Sequence, residues 1–125
     1  MKKIISTGNA PAAIGPYSQA VEAGGLIFIS GQLPINPATG AMAAPEIKAQ
    51  TEAILKNIEG ILKQEGLELG NIVKTTVFMA DLGQFAQMNE VYSKFFPANP
   101  PARATIEVKA LPKAALIEIE AVATR

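Results

Sequence analysis

Two segments of this 125-residue chain carry bulky apolar side chains on both faces of a strand, and that feature narrows the folds open to it. In residues 26–30, Leu26 and Phe28 alternate with Ile27 and Ile29; in 72–79, Ile72 and Phe78 alternate with Val73 and Val77. Successive side chains point to opposite faces, so such strands are either covered twice or leave an apolar patch. The helices needed to cover both faces are missing. Residues 45–66 form the strongest helical pattern: Pro45 suits a first turn, Ile47, Ile54, Ile58, Ile61 and Leu62 make one stripe, and Gly66 suits the stop. Residues 83–96 set Phe85, Met88, Tyr92, Phe95 and Phe96 at helical spacing and end before Pro97.

The remaining elements are strands. Residues 17–30 read as a hairpin turning at Gly24-Gly25, 31–40 as a Gly/Pro/Asn-rich loop, and 71–80 as a β-branched strand. Two further strands fall at about 103–110 and 115–124. The order ββ-α-β-α-ββ predicts an α+β fold, a single domain over 1–125, with a mixed sheet and both helices packed on one face. The bare face predicts a homo-oligomer in which sheet faces meet.

Composition removes much of the enzyme repertoire. The chain has no cysteine and no histidine. It therefore lacks thiolate nucleophiles, disulfides, the usual metal ligands and the usual neutral-pH acid/base, so no metal and no cofactor are expected. Catalysis would rest on carboxylate, Tyr, Lys, Arg, hydroxyls, backbone groups and water. Eleven Lys and Arg balance eleven Asp and Glu, which argues against nucleic acid or an anionic membrane as partner. No stretch approaches the roughly 20 apolar residues of a membrane span. The start, MKKIISTGNA, falls short of a signal sequence, and the expected location is the cytoplasm.

Arg103 stands out, because the only other arginine is the C-terminal Arg125. It follows Pro100-Pro101 at the mouth of a strand. Alternation puts Arg103, Thr105, Glu107 and Lys109 on one face and Ala104, Ile106, Val108 and Ala110 on the other. In the last strand Leu116, Glu118, Glu120 and Val122 oppose Ile117, Ile119, Ala121 and Ala123. If the all-apolar faces take the helices, the charged residues point toward a neighbouring subunit. One reading is an inter-strand salt bridge from Arg103 to Glu118 or Glu120; the other is a fork reserved for a planar carboxylate, which lysine cannot imitate. Glu107 and Lys109 are expected in solvated or interface ion pairs.

PARATIEVKALPKAALIEIE (101–120) resembles the signature region of the reactive intermediate deaminase family, also called the YjgF or translation-inhibitor family. NAPAAIGPYSQAV (9–21), ISGQLPINPATG (29–40) and IVKTTVFMADLGQFAQMNEVYSKFF (72–96) extend the resemblance in the same order, closest to the enamine/imine deaminase subgroup. The resemblance implies a chorismate-mutase-like homotrimer, its sheets forming a central barrel with three clefts between subunits. It implies that Arg103 binds a substrate carboxylate and Glu118 positions the attacking water. It carries Tyr17, Ser30, Gly31, Asn89 and the backbone of Thr105 into substrate binding. The implied partner is a small imino or enamino acid, a 2-iminobutanoate or 2-aminoacrylate released by dehydratases, hydrolysed to a 2-keto acid and ammonia without metal. Where many deaminase members carry Ser and Cys after the arginine, this chain has Ala104 and Thr105. From the residues alone, Tyr17 is open to being a core aromatic and Asn89 an exposed polar residue. Three other functions remain: a non-catalytic sensor of keto acids, a ribonuclease or translation inhibitor, and a holdase-like surface.

Overall fold

Gly24 and Gly25 adopt φ of 59° and 78°, and this pair of left-handed residues closes a two-residue hairpin whose twist suits the flanking strands. The hairpin joins β2 (Ala20–Ala23) to β3 (Leu26–Gln32) in a computed structural model that describes all 125 residues. The other strands are β1 (Lys3–Ile5), β4 (Ile72–Met79), β5 (Ala102–Glu107) and β6 (Ile117–Thr124). They form one sheet in the order β1-β2-β3-β6-β4-β5, antiparallel except for the parallel pair β4 and β5. Helices α1 (Ile47–Gln64) and α2 (Phe85–Phe95) complete the fold, and α2 is the crossover that a parallel β4–β5 pair requires.

The expected order of elements is present, with one strand added at the edge. β1 is three residues long, too short to show a period. Both helices lie on one face of the sheet, as expected. The stripe Ile47, Ile54, Ile58, Ile61 and Leu62 is buried in one cluster with Met88 and Tyr92 of α2 and with Ile27, Ile29, Val77, Met79, Ile117 and Ile119 of the sheet. Gly66, at φ 71°, ends α1 as its sequence position suggested.

The opposite face is open. Cross-strand partners share a face, and the row Ile4–Val21–Phe28–Val122–Lys74 crosses it from one edge toward the other. Phe28 is 46% and Ile106 44% exposed, large values for residues of these types in a sheet. One expectation changes here. Ile72 does not share Phe78's face, because a bulge at Val73 shifts the register between Ile72 and Lys74 and turns Ile72 into the core.

Arg125 closes the structure. Its Nε and Nη2 donate to the two oxygens of Glu22 at 2.8 and 2.9 Å, and Nη2 also meets Glu65, which Lys3 reaches at 2.7 Å. The hydrogen bond from Arg125 holds the Glu22 carboxyl below its ordinary value, and that from Lys3 does the same for Glu65. Carboxyls depressed in the fold stabilise it above their ordinary value of 4.5, and that stabilisation is lost as pH falls through the lowered values. Arg125→Ala is therefore expected to melt a few degrees below the parent at neutral pH, with the gap closing in acid. Thermal unfolding across pH checks this; equal melting at pH 7 would contradict it.

Candidate functional site

Arg103 points toward the helices, which corrects the sequence reading of β5. Its register partner in β4 is Thr75, itself paired with Ala121, and both are buried under the helices. Ala104 and Ile106 take the open face instead, so the apolar face of this edge strand is the one turned away from the helices. The guanidinium is accommodated because α2 presents aromatic rings there. The Arg103 guanidinium carbon lies 4.7 Å from the Tyr92 ring centre and 5.4 Å from that of Phe85. Asn89, one turn of helix before Tyr92, accepts a hydrogen bond from Nη1 at 2.7 Å. Phe85, Asn89 and Tyr92 occupy one face at i, i+4 and i+7. No carboxylate pairs with Arg103; the expected alternative, a bridge to Glu118 or Glu120, is not made.

Thr105 lies on the same face two residues on, and its hydroxyl is buried with no hydrogen-bond partner. Glu107 is exposed and makes no ion pair within the chain; its Oε1 accepts from the Leu82 backbone N–H at 2.9 Å, securing the segment that leads into α2. Lys109 makes no ion pair.

The second group of residues gathers at a β-bulge. Between the pairs Ile29↔Ala121 and Gln32↔Ile119, β3 has two residues, Ser30 and Gly31, where β6 has only Glu120. Gly31, expected in a loop, thus belongs to the strand. A Cβ on Gly31 would stand 2.1 Å from Glu118 Oε2, so the carboxyl group packs directly against the glycine backbone. Only a residue without a side chain permits that approach. Burial raises the Glu118 carboxyl above its ordinary 4.5, and the neighbouring charge of Glu120 adds to the effect. Entry into β6 is fixed by the buried Gln50 of α1, whose Oε1 accepts from the Leu116 N–H at 2.8 Å.

The loop before β2 lies along the bulge. Ser30 donates its hydroxyl to the Ser18 carbonyl at 2.6 Å and its N–H to the Gln19 carbonyl at 3.0 Å. Tyr17 precedes this anchored pair; it is 53% exposed and so not a core aromatic, and its hydroxyl accepts from the Ile14 N–H at 3.4 Å. The loop keeps its shape through Gln19, whose Nε2 donates to the carbonyls of Thr7, Ala10 and Pro11 while Oε1 accepts from Thr7 N–H. Gln19 is a residue the sequence reading missed. A polar side chain at the head of a hairpin gives no sign that it will be buried.

The candidate residues therefore form two groups. Arg103, Asn89 and Thr105 lie with α2; Glu118, Gly31, Ser30 and Tyr17 lie at the bulge. Strand β4 shows that they occupy opposite faces: Thr75 partners Arg103, Phe78 partners Glu118, and an odd spacing separates Thr75 from Phe78. One group offers a rigid, unpaired cation suited to a planar anion, the other a half-buried carboxyl that holds a proton more readily than usual. No helix is long and apolar enough to cross a membrane.

Comparison with known proteins agrees over the whole chain. Residues 7–125 match the family model described as Endoribonuclease L-PSP. The chain is 50% identical, over its full length and 99% of the relative, to the 2-iminobutanoate/2-iminopropanoate deaminase of Salmonella typhimurium. Among solved structures, the Rid family protein YyfA of Yersinia pestis matches with a TM-score of 0.97 at 48% identity, each chain fully covered. E. coli TdcF, solved with bound serine, matches with a TM-score of 0.94 at 46% identity over 98% of each chain. With a family model spanning nearly all its residues and relatives at half identity from end to end, this chain belongs to the Endoribonuclease L-PSP family, known also as Rid/YjgF.

Proposed function

We propose that the protein hydrolyses 2-imino acids, in equilibrium with 2-enamino acids, to 2-keto acids and ammonia. The substrates are 2-iminobutanoate and 2-iminopropanoate, the latter the tautomer of 2-aminoacrylate, and the active form is a homotrimer. The observation that carries this reading is the state of Arg103. It is held by Asn89 and by aromatic rings, while every carboxylate that forms an ion pair does so with another cation. A guanidinium so arranged retains parallel N–H donors for a substrate carboxylate.

In the reaction, water adds to the imine carbon, the resulting carbinolamine loses ammonia, and the carbonyl forms. A protonated imine is already a strong electrophile, so the site mainly has to hold the acid and place the water. Arg103 clamps the carboxylate. Glu118 orients the water and accepts its proton, and the carboxylic acid so formed can return that proton to the departing nitrogen. The exposed Tyr17 phenol and the backbone at Thr105 serve the remaining polar edges of the ligand.

Arg103 and Glu118 lie on opposite faces of one sheet, so one chain does not turn both toward one ligand. Two copies do, if the bulge group of one meets the α2 group of the next around a closed ring. The open face, with Phe28 and Ile106 exposed, favours such association, and three sheets closing into a barrel would bury it. Light scattering at micromolar concentration should give the mass of a trimer; a monomer would reject the assembly.

The test of function is a coupled assay: a dehydratase with threonine or serine, with and without this protein, following loss of the imine. Faster loss supports hydrolysis; an unchanged rate rejects it and leaves a keto-acid binding protein as the reading. Gly31→Ala provides a local check. The added methyl strikes the flexible end of Glu118, so the fold should survive while turnover drops at least about 10-fold from the displaced carboxyl. Wild-type turnover in a folded Gly31→Ala protein would place the chemistry elsewhere.

A further inference from the structure

Tyr92 is the most firmly held side chain near Arg103. It is buried, its hydroxyl lies 2.7 Å from that of the fully buried Thr75, and its ring lies 4.7 Å from the Phe96 ring at an angle of 39°. Thr75 is in turn the register partner of Arg103. Strand, hydroxyl, phenol ring and guanidinium thus form a closed circuit. Phe85, the other ring near the cation, is exposed and has no comparable tether. An arginine on a long flexible stem loses substantial rotamer freedom when it binds. A ring fixed beneath it removes part of that freedom before the ligand arrives.

Resting on the deaminase reading, we propose that Tyr92, anchored through its hydroxyl to Thr75, is the positioning residue of the site: it fixes the plane of the Arg103 guanidinium and acts on substrate only through it. The class of ligand follows from that arrangement. With Nη1 taken by Asn89 and the ring 4.7 Å from its carbon, the guanidinium keeps Nε and Nη2 as a fork for a small oxyanion, the carboxylate of the deaminase reading.

The test uses Tyr92→Leu, Tyr92→Phe and Phe96→Leu in the full-length protein, each also combined with Arg103→Lys. Tyr92→Leu should raise KM for the imine about 10-fold, with kcat within about threefold, since a preorganised clamp acts on ground and transition states alike. Tyr92→Phe keeps the ring but loses the hydroxyl anchor on Thr75, and should fall between the parent and Tyr92→Leu; a KM equal to the parent's would remove the anchor from the proposal. Phe96→Leu removes a ring packed on Tyr92 but leaves Tyr92 and its Thr75 anchor in place, and should change KM less than Tyr92→Leu does. In the Arg103→Lys background, Tyr92→Leu should add little, because it works through a fork that is already gone. Full additivity, or equal effects of Phe96→Leu and Tyr92→Leu, would overturn the proposal.

A second readout does not depend on turnover. The Arg103 Nε–H order parameter by NMR should be close to the rigid backbone value of about 0.85 in the parent and fall below about 0.6 in Tyr92→Leu. An unchanged order parameter refutes the positioning role. If the parent hydrolyses no imine yet the order parameter falls as stated, the deaminase reading fails while the positioning role stands.

Discussion

Arg103→Lys should fold as the parent does and lose about 10²-fold in kcat/KM toward 2-iminobutanoate, close to 3 kcal/mol of transition-state binding. The charge is retained, so the loss measures geometry. Lysine brings a compact ammonium without parallel donors and stacks poorly on the Tyr92 ring. Asn89 would lose its 2.7 Å partner, a change the half-exposed amide tolerates by turning to water. The stability cost should be small, since no ion pair of Arg103 is broken. Imine hydrolysis and thermal unfolding measured together make the check. A lysine variant as active as the parent would reduce Arg103 to a point charge and remove the clamp from the mechanism.

Glu118→Gln should be the more damaging change in turnover, lowering kcat by about 10²–10⁴-fold, the range for losing a general base, with little change in KM. Glutamine keeps the shape against Gly31 and removes the basic oxygen. The pH profile supplies an independent signature. Burial beside Glu120 raises the Glu118 pKa, so the parent should lose kcat/KM on the acid side at a pH above the 4.5 of an ordinary glutamate. Protonation disables a base, hence activity rises with pH through that value. The variant should show no such limb. A Gln variant with parental kcat would transfer the role to Glu120 or to no carboxylate.

The helices were legible in the sequence because one stripe each decides them: Ile47 to Leu62 in α1, and Met88, Tyr92 and Phe96 at the end of the second pattern. The last strand was legible for the same reason, its Ile117, Ile119, Ala121 and Ala123 all buried. β5 was misread by the rule that succeeded for β6. That rule assumes the helices cover whatever is apolar, but the other face of this sheet is apolar too. At the edge α2 offers Phe85, Asn89 and Tyr92 as a place where a guanidinium can be partly buried.

The bulges escaped for another reason. An inserted residue at Val73 or at Ser30-Gly31 alters register without altering composition, and only the glycine inside a β-rich run hinted at the second. Arg103 stood out from the residues alone; the role of Glu118 and the choice of Tyr17, Ser30, Gly31, Asn89 and Thr105 came from family resemblance. What the structure adds is their division into two groups on opposite faces, which alternation along β5 had concealed by placing Arg103 and Glu118 together.

Subunit complementation addresses that division most directly. Arg103→Lys and Glu118→Gln chains, each nearly inactive alone, are mixed in equal amounts, unfolded and refolded together, and assayed for imine loss. Random assembly gives about a quarter of the sites an intact arginine from one chain and an intact glutamate from the next. Recovery toward a quarter of parental activity is the result expected. A mixture no more active than its two components, once mixed oligomers are confirmed by mass, would mean that no site joins these residues across a subunit boundary.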